Sequence, residues 1–184
     1  LREPLPAHVR GRVDLNLFFT GAGGLTAATA PASAAIRDAL AAIDAIYAAI
    51  DVGVGDIRYA DATADLQVIE TLDGEGNDLS RLFAYSAGHP VGLNLFFVRE
   101  IMGGSDMSGG FAIILGISGG IPGPPIVQGT PRSGVAVVLE LPWFVNDATV
   151  GTVAAHEMGH YLGLYHTSEQ EIPGRARIHD ALED

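Results

Sequence analysis

The eleven residues HEMGHYLGLYH, from His156 to His166, are the feature that most restricts how this chain can fold. Residues four apart in a helix lie about 40° apart on one face, so His156 and His160 face the same way. Two imidazoles one turn apart reach a single tetrahedral zinc ion, and Glu157 beside them reaches a water on that ion. Gly163 can adopt a left-handed conformation that ends the helix and offers His166 as a third ligand. The segment therefore predicts a zinc site with three histidine ligands, an open fourth position and Glu157 as the general base.

The histidines lie on a predicted helix that extends from about Ala148 to Leu162. Asn146 and Asp147 precede it and are candidate N-caps. Tyr161 and Tyr165 are expected to be core aromatics rather than donors to an oxyanion. Apolar residues occupy the face opposite to the histidines, at Val150, Ala154, Met158 and Tyr161. We expect the histidine face of the helix to border a cleft and its apolar face to pack against a core.

The histidine pattern also has a less specific explanation. A lone H-E-x-x-H also fits a solvated helix face that carries an ion pair and no chemistry. The glycine and third histidine remove that reading and leave either a catalytic zinc site or a zinc site retained for structure. A structural site usually closes its fourth position with a protein ligand, whereas this pattern leaves the position open beside Glu157. The pattern therefore favours catalysis.

The remainder of the chain predicts a sheet backed by helices. An amphipathic helix follows Pro31, with apolar residues at helical spacing from Ile36 to Ile50. The order of strands and helices predicts a mixed sheet and an α/β (α+β) architecture. The predicted strands are Val13 to Phe19, Ile57 to Ala60, Leu66 to Glu70, Val91 to Ile101, Phe111 to Ile117 and Val135 to Leu141.

The pentapeptide LNLFF occurs twice, at Leu15 to Phe19 and at Leu93 to Phe97. A duplication would explain the two copies, but their flanking residues do not align over a repeat-sized window. Two central strands in the same buried environment select the same residue types. We therefore expect two central strands in the same kind of buried environment rather than a repeat.

Composition excludes several classes of partner. The chain has 22 acidic against ten basic residues and a formal charge of −12, which opposes binding to nucleic acid and to anionic membranes. No apolar run is long enough to span a bilayer. Cysteine is absent, so a metal would have to bind histidines and carboxylates.

The pattern from His156 to His166 resembles the signature of the metzincin zinc endopeptidases, and AAHEMGHYLGLYHTSE is most similar to the pappalysin and cytophagalysin branch. The resemblance implies an N-terminal catalytic subdomain over residues 1–166, with a twisted, mixed five-stranded sheet, a backing helix and an active-site helix. Residues 167–184 would begin a truncated C-terminal subdomain. The resemblance also implies that an edge strand binds a protein or peptide substrate as an added strand, and Phe111 to Ile117 is the candidate by chain order.

One departure concerns the methionine turn that metzincins carry beneath the zinc. No methionine follows Met158, so the C-terminal subdomain is expected to be largely absent. The acidic segment HDALED resembles a pappalysin segment, which implies a calcium site with Asp180, Glu183 and Asp184 as candidate ligands. A solvated tail explains these acids equally well.

Two other functions compete with a zinc endopeptidase. One is a zinc amidase that acts on small or cell-wall peptides, and the other is a non-catalytic zinc-containing binding module. The intact Glu157 speaks against the second. The start at Leu1, without an initiator methionine or an apolar leader, gives the expectation of an extracellular or periplasmic protein. Oligomeric state is not indicated.

Overall fold

The computed structural model describes residues 11–105, 111–140 and 149–166. Within them the chain forms eight strands and three α-helices, joined by short 3-10 turns. The helices are α1 (Ala34–Ala48), α2 (Asp78–Phe83) and α3 (Val150–Tyr161). The strands are β1 (Gly11–Phe19), β2 (Val52–Asp61), β3 (Val68–Ile69), β4 (Leu93–Val98), β5 (Glu100–Ser105), β6 (Phe111–Ile114), β7 (Gly116–Ser118) and β8 (Val135–Val138).

A mixed five-stranded sheet in the order β2-β1-β4-β8-β7 forms the centre of the fold. The first four strands are parallel, and β7 runs antiparallel to β8 at one edge. This arrangement confirms the predicted mixed α/β architecture. A second sheet, which the sequence did not predict, has the order β3-β5-β6.

The main sheet is covered on both faces. Helices α1 and α3 pack on one face, against the odd-numbered apolar residues of β1 and β4 such as Leu17 and Leu95. Helix α2 and residues of the second sheet pack on the other face, against Phe18 and Phe96. Strands buried on both faces need continuous apolar runs, which is what LNLFF supplies twice. The predicted backing helix corresponds to α1.

The two LNLFF copies lie side by side. Strands β1 and β4 are neighbours, and Asn16 is paired in register with Asn94. Asn16 Nδ2 donates to Asn94 Oδ1 at 2.9 Å, and both side chains are buried. The expectation of a shared environment is confirmed.

Two apolar runs predicted as single strands are each divided between the two sheets. The run from Val91 to Ile101 leaves the main sheet at Arg99, whose N–H donates to Gln67 O at 2.7 Å. The run from Phe111 to Ile117 divides at Leu115, whose carbonyl accepts a 2.8 Å bond from Val138. An apolar run predicts a strand but not the sheet to which the strand belongs. Both predicted strands therefore had the wrong bounds.

Helix α3 begins later than predicted. Thr149 is its N-cap and forms a reciprocal capping box with Thr152, so the expected caps at Asn146 and Asp147, which lie outside the described residues, are not the caps of this helix. Capping requires a side-chain oxygen next to the first free N–H groups, which Thr149 provides. None of the helices within the described residues has the length and apolar character needed to cross a bilayer.

A close contact with α1 fixes the position of α3, the helix that carries His156 and His160. A Cβ atom at Gly151 would lie 2.6 Å from Ala39 O and 2.7 Å from Ala42 Cβ, so glycine is required at this crossing. Further along, the Tyr47 hydroxyl donates to the Ala155 carbonyl at 3.1 Å. Burial raises the pKa of Tyr47 to about 12, which keeps this donor protonated.

We predict that Gly151→Ala destabilises the protein by about 1–3 kcal/mol, because the added methyl forces the two helices apart. Gly159→Ala is the matched control on the same helix, since a Cβ there meets only ordinary contacts, the nearest at 3.6 Å. The control should be neutral or stabilising by up to about 1 kcal/mol through helix propensity. Urea unfolding measures the free energy of unfolding of both variants. Equal changes in the two would contradict the close contact between α1 and α3 at Gly151.

Candidate metal centre

Three histidine nitrogens converge at the end of α3. The Nε2 atoms of His156 and His160 are 3.1 Å apart, and each lies 3.0 Å from Nε2 of His166. Among the described residues these three form a group that could hold a metal ion. The sequence prediction that His156, His160 and His166 come together is met by this geometry.

The turn that brings His166 back is a helix cap of the Schellman type. Gly163 has φ of +104°, its N–H donates to His160 O, and the Leu164 N–H donates to Gly159 O, both at 2.9 Å. This 5→2 and 6→1 pair of bonds ends α3 and reverses the chain. The predicted left-handed role of Gly163 is confirmed.

The same cap fixes the tautomer of His160. Its Nδ1 lies 2.7 Å from the Leu164 carbonyl oxygen. A carbonyl only accepts, so Nδ1 carries the proton, and in the neutral ring Nε2 presents a lone pair to the centre of the triad. An imidazole held this way through its second nitrogen is the usual arrangement of a metal-ligating histidine.

The triad fits zinc. Tetrahedral ligands about 2.0–2.1 Å from zinc lie about 3.3 Å from one another, close to the observed separations. Nitrogen lone pairs that face one another at 3.0 Å repel unless a cation lies between them. Burial lowers the pKa of His156, and the charges of His160 and His166 lower it further. These effects favour the neutral imidazole that binds metal.

Glu157 adjoins the triad on the side of β7. Its carboxylate accepts a hydrogen bond from the Ser118 backbone N–H and lies within the electrostatic influence of His160. Burial raises the pKa of Glu157, and these two contacts only partly oppose the rise. A carboxylate with a raised pKa is a stronger base at neutral pH.

The loop between β7 and β8 is bound to the end of α3. Gly123 N–H donates to Tyr161 O at 2.9 Å, and the Tyr161 hydroxyl donates to Pro124 O at 3.1 Å. Tyr161 is fully buried, as expected for a core aromatic, and burial raises its pKa to about 12. Tyr165 is 56% exposed, and its hydroxyl donates to Ile121 O at 3.1 Å, so its prediction as a core residue was wrong. It follows the helix-ending glycine and no longer shares the apolar face of α3.

A cavity of about 310 Å³ lies beside the triad, between the end of α1 and the turn after α3. Its apolar lining includes Ile46, Tyr47, Ile50 and Leu164 together with the three histidines. Ile50 and Leu164 are 64% and 61% exposed. The three-histidine group therefore borders an apolar surface as well as the edge of the main sheet.

Comparisons with known proteins find a distant likeness in structure. No family model matches the chain, and no curated protein matches it. Among solved structures the chain is similar to metalloproteinase-II from Bacteroides fragilis, with 14% sequence identity and a TM-score of 0.43. The match covers 91% of this chain and 47% of that one, so the chain spans about half the length of that structure. A likeness this distant assigns neither family nor activity.

Other sequence predictions have simpler outcomes. His89, which has no partner at ligand spacing in the sequence, packs edge-on against Phe18, with ring centroids 4.8 Å apart, and does not belong to the histidine group. The candidate calcium ligands Asp180, Glu183 and Asp184 lie outside the described residues. Sequence reasoning did not identify Gly116, Ser118 or the Leu164 carbonyl as part of the site. A glycine within a strand marks close approach of another group, and that signal was available at Gly116.

We predict that the chain binds one equivalent of Zn²⁺ and that His166→Ala weakens binding by more than about a hundredfold, since loss of an outer partner alone weakens it 10- to 100-fold. His89→Ala is the control and should bind as the parent does. Competition for Zn²⁺ with a chromophoric chelator measures the zinc affinity of the parent and of the two variants. Parent-like affinity in His166→Ala would show that the third ligand is wrongly assigned.

We predict that Gly163→Ala weakens zinc binding, because an alanine resists the positive φ that places Leu164 O and His166. Gly88→Ala is a matched control, since Gly88 also has a positive φ, +78°, and neither position meets a close neighbour. Both variants should lose roughly 1–2 kcal/mol of stability. Only Gly163→Ala should lose zinc affinity, and equal affinity in the two would contradict the role of the cap.

Proposed function

We propose that this chain is the zinc-binding part of an endopeptidase that hydrolyses peptide bonds, with Glu157 as the general base. The observation that carries the proposal is the position of the Glu157 carboxylate, which adjoins the three-histidine group and also the edge of β7 that has no partner strand within residues 11–105, 111–140 and 149–166. A base, a metal group and a free strand edge are the three components that cleavage of an extended peptide requires.

The register of β7 supports an extended peptide as the substrate. Gly119 N–H donates to Gly134 O at 2.9 Å and Val138 N–H donates to Leu115 O at 2.8 Å. Residues 115, 117 and 119 therefore direct their backbone groups to β8, and Gly116 and Ser118 direct theirs away from it. An added peptide strand would bond to the N–H and C=O of Gly116 and to the C=O of Ser118, because the Ser118 N–H donates to Glu157. This replaces the longer candidate, Phe111 to Ile117, because residues up to Ile114 belong to the second sheet.

In the proposed mechanism the imidazoles of His156, His160 and His166 hold zinc in their neutral forms. Zinc, when bound, lowers the pKa of water and stabilises negative charge on the carbonyl oxygen. Glu157 accepts the proton of the attacking water and later transfers it to the leaving amine. The raised pKa of Glu157 suits both steps, since the group must gain and then release a proton. The His160–Leu164 bond keeps one imidazole oriented throughout.

We predict that Glu157→Gln retains one zinc and loses about 10²- to 10⁴-fold in turnover, the usual contribution of a general base. Glutamine keeps the shape of the side chain and its hydrogen-bonding oxygen but cannot accept the proton. Zinc content and hydrolysis of a quenched fluorescent peptide library measure the two properties. A zinc-loaded Glu157→Gln variant that cleaves as fast as the parent would refute the proposed role.

A substrate panel separates the endopeptidase from its rivals. The endopeptidase should cleave internal bonds of peptides long enough to form a strand and leave small amides intact. Cleavage of small amides or cell-wall peptides alone would indicate the zinc amidase. Bound zinc with no turnover of any substrate, in a protein extended beyond Asp184, would indicate a binding module.

A further inference from the structure

The shortest strand of the main sheet, β7, lies directly against the base. A Cβ atom built on Gly116 would be 2.7 Å from Glu157 Cγ and 2.8 Å from Val153 Cγ1, closer than real Cβ contacts allow. The Glu157 side chain therefore occupies the space that any side chain at position 116 would fill.

Two residues further along the same strand, a backbone donor meets the end of the same side chain. The Ser118 N–H donates to the Glu157 carboxylate. Alternation along β7 turns this N–H away from β8, so the bond uses a group that the sheet itself leaves unpaired. The Ser118 hydroxyl donates to Gly120 O at 2.8 Å and takes no part in the contact.

We propose that Gly116 and Ser118 are positioning residues for Glu157: the missing side chain of Gly116 admits its methylene groups, and the Ser118 N–H orients its carboxylate. The proposal rests on the proposed function and extends it, because the strand suited to accept the peptide would also set the position of the base. A base misplaced by about 1 Å can lose about 100-fold in rate.

The first test measures the contact without catalysis. The Ser118 amide is followed by NMR, through its proton chemical shift and its hydrogen-exchange rate, in the parent and in Glu157→Ala. We expect an upfield shift and faster exchange at Ser118, with little change at Ile117, whose N–H faces β8. An unchanged Ser118 amide overturns the proposal whatever the enzyme does. If the Ser118 amide signal changes but the chain hydrolyses no peptide, the proposed function is wrong while the contact between Ser118 and Glu157 stands.

The second test measures the effect on turnover. Gly116→Ala should lower kcat by about 10- to 100-fold on the peptide that the parent cleaves fastest, with one zinc still bound and KM changed much less. Gly11→Ala is the matched control in a strand, since its nearest neighbour is at an ordinary 3.5 Å. Parent-like kcat in Gly116→Ala would overturn the proposal.

A double variant separates displacement of the base from loose packing of β7 on α3. Val153→Ala relieves the second of the two close contacts but not the contact with Glu157. If Glu157 is the group displaced, adding Val153→Ala to Gly116→Ala should not restore kcat. Full recovery would show that packing alone caused the loss and would overturn the role of Gly116.

The donor at Ser118 can be removed by proline, which edge strands tolerate where the N–H does not join the ladder. Ser118→Ala keeps the N–H, so the ratio of kcat between Ser118→Ala and Ser118→Pro isolates the backbone bond. We expect a ratio of about 10 or more, at equal zinc affinity. A ratio near one would overturn the role of Ser118.

Discussion

The hydrogen bond from His160 Nδ1 to the Leu164 carbonyl is the contact on which the arrangement of the three histidines depends. It exists because Gly163 adopts a positive φ that few other residues tolerate, and the resulting cap turns the Leu164 carbonyl back towards the last turn of α3. The bond sets the tautomer of one ligand, and the same turn delivers His166 to the other two. The eleven residues from His156 to His166 thus contain both the three histidines and the turn that brings them together.

The histidine motif forms a site only because tertiary contacts hold α3 in place at both of its ends. Its first turn lies against α1 at the Gly151 crossing, where the backbone of Ala39 leaves no room for a side chain. Its last turn is bound to the loop after β7 through Tyr161. Between these points Glu157 meets β7. The crossing and the loop together bring the histidine face of the helix to the one end of the sheet where β7 has no partner strand among the described residues.

The site was more predictable from sequence than the fold around it, and the reason is the range of the interactions. Helical spacing and the conformational freedom of Gly163 act over short distances along the chain, so the convergence of the three histidines and the cap followed from residues 156–166 alone. Apolar runs at 91–101 and 111–117 indicated strands correctly, but the points where they pass between sheets depend on distant partners such as Gln67 and Val138. The contacts of Gly116 and Ser118 with Glu157 depend on the same long-range pairing and were not visible in the local pattern.

The pairing itself is specified by amides in the sheet interior. Asn16 bonds to Asn94 across β1 and β4, and Asn94 in turn donates to Gln128 and, at 2.7 Å, to Ser133 O just before β8. Buried amides tolerate few partners, so these bonds penalise a slip of β8 more strongly than apolar packing could. A one-residue slip reverses which face each side chain occupies. A one-residue slip of β7 would turn the Ile117 side chain towards α3, into the space that the Glu157 side chain now occupies. The polar residue within LNLFF thus helps to place Glu157, although it lies in a different part of the sheet.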